Sequence, residues 1–124
     1  MTKLIIAGSR TIKDYQWLCD AIERSGYTDI TEVVSGKEPN GVDALGERWA
    51  KEHGIPVKEF PADWNLGLRG GPIRNGQMAK YADAVLILRR PLGSLSAGSD
   101  DLFGKMKWME KKPVYREIEK GKYD

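Results

Sequence analysis

The chain has 124 residues, 40% of them hydrophobic, the size and composition of one domain with a single packed core. Cys19 is its one cysteine, which excludes an intrachain disulfide and a cysteine-rich metal site and fits a reducing, cytoplasmic location. The formal net charge is +2, with 20 basic and 18 acidic residues interspersed, so no global field attracts nucleic acid, and nucleic acid is not expected as a partner.

The first apolar run, Leu4 to Ala7, is too short for a signal peptide or a membrane span, so no membrane association is expected. Lys3 to Ala7, ended by Gly8, reads as a strand buried on both faces. Asp14 is placed to cap a helix over Tyr15 to Arg24, where Trp17, Leu18, Ala21 and Ile22 recur at helical spacing and Gly26 follows. Ile30 to Val34 is a second strand ending in Ser35-Gly36, and a polar loop then leads to a helix from Val42 to Glu52 that Gly54 and Pro56 stop. Val57 to Phe60 is a third short strand. The aromatic, Gly-rich stretch Pro61 to Gly71 has room for a turn or two of helix, and Pro72 suits the first turn of a third helix carrying Ile73, Met78 and Tyr81. The apolar strand Ala84 to Leu88, a loop from Arg89 to Gly98, a helix from Ser99 to Glu110 and a last strand near Pro113 to Arg116 complete the order. The Lys-rich segment Lys105 to Lys122 is diluted by Glu110, Glu117 and Glu119 and reads as a solvated helix face followed by a disordered tail over about 117–124.

Strands alternating with helices call for a Rossmann-like α/β fold. The expectation is a doubly wound parallel sheet of about five strands with right-handed crossovers and helices on both faces, in a single domain over 1–124. Ligands bind such folds outside the carboxyl ends of the strands, where the strand order reverses.

The strand-end loops are accordingly where chemistry is expected. They contain Gly8-Ser9-Arg10, then Ser35-Gly36 with Gly41-Val42-Asp43, then Gly70-Gly71-Pro72-Ile73-Arg74-Asn75, and Ser96-Ala97-Gly98-Ser99. Glycine lets backbone amides approach a phosphate, and a helix starting just after adds free amides and the favourable end of its dipole. Arg10 and Arg74 supply planar charged forks suited to phosphate or carboxylate. Any one loop is equally well a simple turn; their convergence points to an anion pocket. The Gly-x-Gly-x-x-Gly fingerprint and the Gly-x-x-x-x-Gly-Lys-Ser/Thr loop are both absent, which argues against an ordinary dehydrogenase or ATPase.

The acids near this edge are Asp43, Asp63, Asp100 and Asp101. Asp43 either stabilises the start of the second helix or contacts ligand hydroxyls. Asp63 beside Trp64 either reads a ribose while the indole stacks on a base, or is a turn residue next to a core tryptophan. Asp100 and Asp101 fall in the first turn of the fourth helix, where acids are favoured without any function. His53, the one histidine, sits at a helix end, and no ligand cluster supports a metal or another cofactor. Trp17, Trp49 and Trp108 occupy amphipathic helix positions and are expected in the core or at a dimer contact.

The motifs Gly8-Ser9-Arg10, Val34-Ser-Gly36 with Gly41-Val-Asp43, Glu47-Arg-Trp-Ala50, Phe60-Pro-Ala-Asp-Trp64, and Gly71-Pro-Ile-Arg-Asn75 through Met78-Ala-Lys-Tyr-Ala-Asp83 occur in one order. Together they resemble the small YspA-like, YpsA-related branch of the SLOG superfamily, from about Lys3 to Val114. The resemblance implies a Rossmann-like fold that binds or processes nucleotides or NAD-derived ligands, in phage or bacterial settings. Its relatives the Lonely Guy phosphoribohydrolases cleave the N-glycosidic bond of nucleoside 5′-monophosphates with a paired Arg and Glu, and they dimerise. Arg74-Asn-Gly-Gln-Met78 matches the arginine motif, so the resemblance places the catalytic arginine at Arg74. The glutamate position falls on Leu102, and Arg89-Arg-Pro-Leu-Gly-Ser-Leu95 replaces the Pro-Gly-Gly segment. Leucine cannot stabilise an oxocarbenium charge or activate water. Asp101 from the next position, Asp43 from another loop, or no hydrolysis at all are the alternatives.

Three functions follow as expectations. The first is a small nucleotide-like ligand (nucleoside monophosphate, NAD-like or ADP-ribose-like) bound by Gly8, Ser9, Arg10, Ser35, Gly36, Asp43, Asp63, Trp64, Gly71, Arg74, Asn75, Gly98 and Ser99, with hydrolysis of its N-glycosidic bond. The second is a non-catalytic sensor or sponge for such a ligand; the third is a protein-interaction module. Met106, Trp108 and Met109 either frame a homodimer or pack within the monomer.

Overall fold

The computed structural model describes residues 1–91, 97–109 and 112–119. In chain order the elements are β1 (Thr2–Gly8), α1 (Tyr15–Ser25), β2 (Ile30–Ser35), α2 (Val42–Glu52), β3 (Val57–Glu59), a 3-10 segment (Trp64–Arg69), α3 (Gly70–Tyr81), β4 (Ala84–Arg89), α4 (Ala97–Trp108) and β5 (Val114–Ile118). α1 starts where Asp14 caps it, the carboxylate accepting from the Trp17 amide at 3.0 Å, and it stops at Gly26.

The five strands lie in the order β3-β2-β1-β4-β5, and every neighbouring pair is parallel. The chain therefore winds outward from β1 on one side, crosses back over it, and winds outward on the other. Because strand side chains alternate between faces, β1 feeds two cores. Leu4 and Ile6 pack with Leu18, Ala21 and Ile22 of α1 and with Val42, Trp49 and Ala50 of α2. Ile5 and Ala7 pack with Met78 and Ala79 of α3 and with Leu102 and Met106 of α4. The run Lys3 to Ala7 is thus the central strand its continuous hydrophobicity implies. α2 lies so close to β1 that a Cβ on Gly46 would sit 2.8 Å from Ile6 Cγ2.

Some boundaries and burials differ from the sequence pattern. α3 begins at Gly70, with Pro72 in its first turn, and Arg69, which already has helical φ and ψ, carries the 3-10 segment straight into the helix. β5 continues past Arg116 to Ile118. Glu117 is anchored there by Arg24, which donates to it at 2.8 and 2.7 Å, and by the Trp17 indole at 2.7 Å. This arginine partnership pulls the Glu117 carboxyl down to about 2. α4 begins at Ala97; most of the loop expected over Arg89 to Gly98, the position Glu110 and the tail beyond 119 lie outside the described residues. Trp49 is buried and Trp17 half-buried, but Trp108 is 89% exposed, so it is not a core residue. The inward stripe of α4 is Leu102 and Met106, with Met109 packed against the same core, and Trp108, two residues after Met106, points to the opposite side. Among the described residues no helix is long and apolar enough to cross a membrane.

Truncating Leu86, fully buried in the central strand β4, is expected to destabilise the protein by ~2–5 kcal/mol in urea unfolding. Trp108→Ala is expected to change stability by less than ~0.5 kcal/mol, because an exposed side chain leaves no cavity.

Candidate functional site

The order of the strands reverses at β1 and β4. The crossovers around β1 run over one face and the helices flanking β4 over the other, which leaves a crevice outside the carboxyl ends of these two strands. A cavity of about 250 Å³ opens at this point. Its apolar floor is Ala7, Met78 and Leu102, and one wall is Trp64, which is 61% exposed although it lines the cavity. The rest of the lining is polar and comes from four different loops.

The β1 loop is held by close backbone packing. A Cβ on Gly8 would overlap the Leu88 carbonyl oxygen, so only glycine lets the ends of β1 and β4 lie this close. The next residue, Ser9, is buried and stitches the loops together. Its amide donates to Leu88 O at 3.1 Å, its carbonyl accepts from the Val42 amide at 3.3 Å, and its hydroxyl accepts from the Arg90 amide at 3.1 Å. Arg10 turns outward to the cavity rim, 3.8 Å from Glu38.

The β2 loop brings acids to the cavity. Ser35 donates to Glu47 at 2.6 Å and accepts from the Lys37 amide at 3.0 Å, which bends the chain after β2. Lys37 spans Glu47 at 3.1 Å and Glu59 at 3.0 Å and pins the bend to α2 and β3. The next residue, Glu38, lines the cavity, and its amide donates to Asp43 Oδ2 at 3.2 Å. Asp43 is in the first turn of α2, yet it makes no cap for that helix. It is only 8% exposed and lines the cavity. Burial pushes its carboxyl up to about 7, against the lowering effect of the Glu38 amide and of nearby Arg74.

Arg74, on α3, reaches across to this loop: Nη1 donates to Gly36 O and Nε to Asn75 Oδ1 at 3.0 Å. A Cβ on Gly36 would lie 2.7 Å from Arg74 Nη1 and 3.0 Å from Asp43 Oδ2, so a side chain there would push the arginine and the acid from where they converge. Asn75 is buried and joins the starts of two helices. Its Nδ2 donates to Gly98 O at 3.2 Å and to Asp101 Oδ2 at 3.0 Å. Gly71 in the first turn of α3 and Gly98 and Ser99 in the first turn of α4 therefore face one cavity. At the end of β4, buried Arg89 pairs with Asp100 at 3.0 Å and fixes the same turn of α4.

The structure brings Gly8, Arg10, Asp43, Trp64, Gly71, Arg74, Asn75, Gly98 and Ser99 together around the cavity. Gly36 stands behind Arg74 and Asp43, and Ser9 and Ser35 bind neighbouring loops instead of lining the space. Asp63 caps the 3-10 segment, accepting from the Asn65 amide at 3.0 Å, and does not line the cavity. Trp64 is not the core tryptophan that a simple turn at Asp63 would have beside it. Asp101 is held by Lys105 at 2.7 Å and by Asn75, beside the cavity and outside its lining. Leu102, at the position the resemblance gives to a glutamate, is part of the floor. Sequence reasoning missed Glu38; an acid between Gly36 and Gly41, in a loop at a strand's carboxyl end, was the available signal. Among the described residues no group of three or more His, Cys, Asp or Glu is arranged to hold a metal.

A doubly wound five-stranded sheet with helix starts and arginines converging on its switch point defines an α/β protein of Rossmann type. Residues 2–67 match the model of the YspA, cpYpsA-related SLOG family (YAcAr), and the chain belongs to that family. No curated protein matches it.

The raised Asp43 carboxyl has a consequence for stability. Folded protein holds this proton up to about 7, whereas the unfolded chain releases it near pH ~4. Between those values the native state binds more protons, so stability falls as pH rises and levels off above 7. Urea midpoints at pH 5 and pH 8 are expected to differ in this sense for the native protein and to differ less for Asp43→Asn. Glu117 acts in the opposite sense, losing its stabilisation as pH falls toward 2, below this window.

Proposed function

We propose that the switch-point cavity binds a phosphorylated, nucleotide-like ligand of mononucleotide size. The observation that carries this reading is the convergence of the α4 N-terminus at Gly98-Ser99, the Gly71 backbone, and the Arg74 and Arg10 guanidiniums around one cavity. Free first-turn amides, helix dipoles and planar cations are the groups that hold a phosphate. Arg74 is the central one, anchored through Gly36 and Asn75. Trp64 offers an exposed ring face against which a base can stack, next to the apolar floor. The volume of about 250 Å³ lies below the ~300–1,000 Å³ of pockets for drug-sized ligands. It suits a nucleoside monophosphate or a sugar phosphate better than a dinucleotide. Membership of the SLOG family is consistent with a nucleotide-related ligand.

One observation favours turnover as an extension of binding. Asp43 sits in the cavity beside Arg74 with its carboxyl pushed to about 7, the range in which an acid-base group is effective near neutral pH. In N-glycosidic hydrolysis the neutral acid would donate a proton to the departing base, and its conjugate base would then help water add to the sugar carbon. Leu102 cannot take either role, and Asp101 is tied to Lys105. Without turnover, the same cavity serves a sensor or sponge.

Thermal-shift measurements with nucleoside monophosphates, NAD and ADP-ribose test the reading. A ligand at a hundred times its dissociation constant stabilises the fold by about 2.7 kcal/mol. The expected result is a clear shift with a monophosphate, a weaker one with NAD, and loss of both in Arg74→Ala. Chromatography of the mixture is expected to show released base that disappears in Asp43→Asn while binding persists; intact ligand throughout would assign a sensor or sponge. No shift with any phosphorylated ligand would overturn the reading.

A further inference from the structure

The polar lining of the cavity carries both charges. Besides the helix starts, Arg10 and Arg74, it contains Glu38 and Asp43, both from the chain between β2 and the first turn of α2. A phosphate has no use for carboxylates. A group that carries hydroxyl donors does, because a carboxylate accepts two or more hydrogen bonds and offers no donor when ionised.

Both acids are placed to accept such bonds. Asp43 is more than nine-tenths buried and lines the cavity, and among the described residues only its Oδ2 has a hydrogen-bond donor, the Glu38 amide. A buried polar group without a full complement of partners is the kind that a ligand completes. Glu38 is partly buried, its ion pair with Arg10 is long at 3.8 Å, its backbone amide is tied to Asp43, and both residues line the same cavity. Gly36 leaves the space beside them clear, since any Cβ there would come within 3.0 Å of Asp43 Oδ2. In dinucleotide-binding doubly wound folds, an acid following the second strand receives a ribose hydroxyl while the phosphate lies at a helix start.

We propose that Glu38 and Asp43 form a diol-reading wall that recognises the adjacent 2′- and 3′-hydroxyls of a ribose, so the cavity selects ribo- over deoxyribo-phosphates. This rests on the proposed nucleotide reading and specifies the sugar. Glu38 is the residue that sets the preference, and Asp43 positions the Glu38 backbone and accepts from the diol beside it. A 2′-phosphate in place of the hydroxyl is excluded by the same two acids.

Calorimetric titration with two matched pairs tests the proposal: adenosine and 2′-deoxyadenosine 5′-monophosphate, and ribose and 2-deoxyribose 5-phosphate. One hydrogen bond from a hydroxyl to a charged acceptor predicts about 10- to 100-fold tighter binding of each ribo member. In Glu38→Gln, a change in a partly buried loop residue that leaves the core intact, the ribo-over-deoxy preference is expected to shrink to a few-fold. Equal binding of ribo and deoxy members overturns the diol wall and leaves the phosphate reading standing. A ribo preference unchanged in both Glu38→Gln and Asp43→Asn overturns it as well, since the diol is then read elsewhere. If none of the four probes binds, the underlying nucleotide reading fails and the proposal with it.

Discussion

β1 lies between parallel partners, β2 on one edge and β4 on the other. Because parallel crossovers are right-handed, the helices serving these two directions occupy opposite faces of the sheet, and each face of β1 must bury apolar side chains. Leu4 and Ile6 meet α1 and α2; Ile5 and Ala7 meet α3 and α4. The crevice at the carboxyl ends of β1 and β4 is a geometric result of this winding. Nothing in the core fills it, because the connections that could cover it leave in opposite directions.

What the crevice can do is set by four loops that are individually ordinary. Glycine at position 8 brings the ends of β1 and β4 together, Ser9 fastens that junction to α2 and to Arg90, and Asn75 fastens the start of α3 to the start of α4. These ties hold backbone amides, Arg74 and Asp43 in fixed positions without a ligand, and preorganised groups bind with a smaller ordering cost. Arg74 and Asp43 also constrain each other through Gly36, where both come close to the space a side chain would need. Burial acting against an adjacent arginine puts the Asp43 carboxyl at about 7.

Much of the fold is legible in the sequence because the local features and the tertiary packing agree. The continuous run at Leu4 to Ala7, the cap at Asp14 and the stop at Gly26 each lead to the element found. The site is less so. Periodicity reports which face of a helix is apolar, so Met106 is recoverable as core. It does not report how far an apolar stripe extends, and Trp108, at a plausible helical position, is outside it. Arg74 stands out because an arginine among glycines after a strand has few structural uses. Glu38 does not stand out, because its place in the cavity depends on a bend that Ser35 and Lys37 make by reaching Glu47, further along the chain in α2. Asp63 and Asp101 look equivalent to Asp43 in sequence, yet a local amide holds one and Lys105 the other.

In the proposed function one cavity, at the sheet's switch point, holds the phosphate. Two-dimensional NMR of 15N-labelled protein titrated with adenosine 5′-monophosphate is the sharpest test, because amides report their own neighbours. Saturable shifts are expected, confined to Gly8, Gly71, Asn75, Gly98, Ser99, the Trp64 indole and the loop around Glu38. Shifts centred instead around Trp17, Arg24 and Glu117, where α1 meets β5, or none at millimolar ligand, would overturn that site.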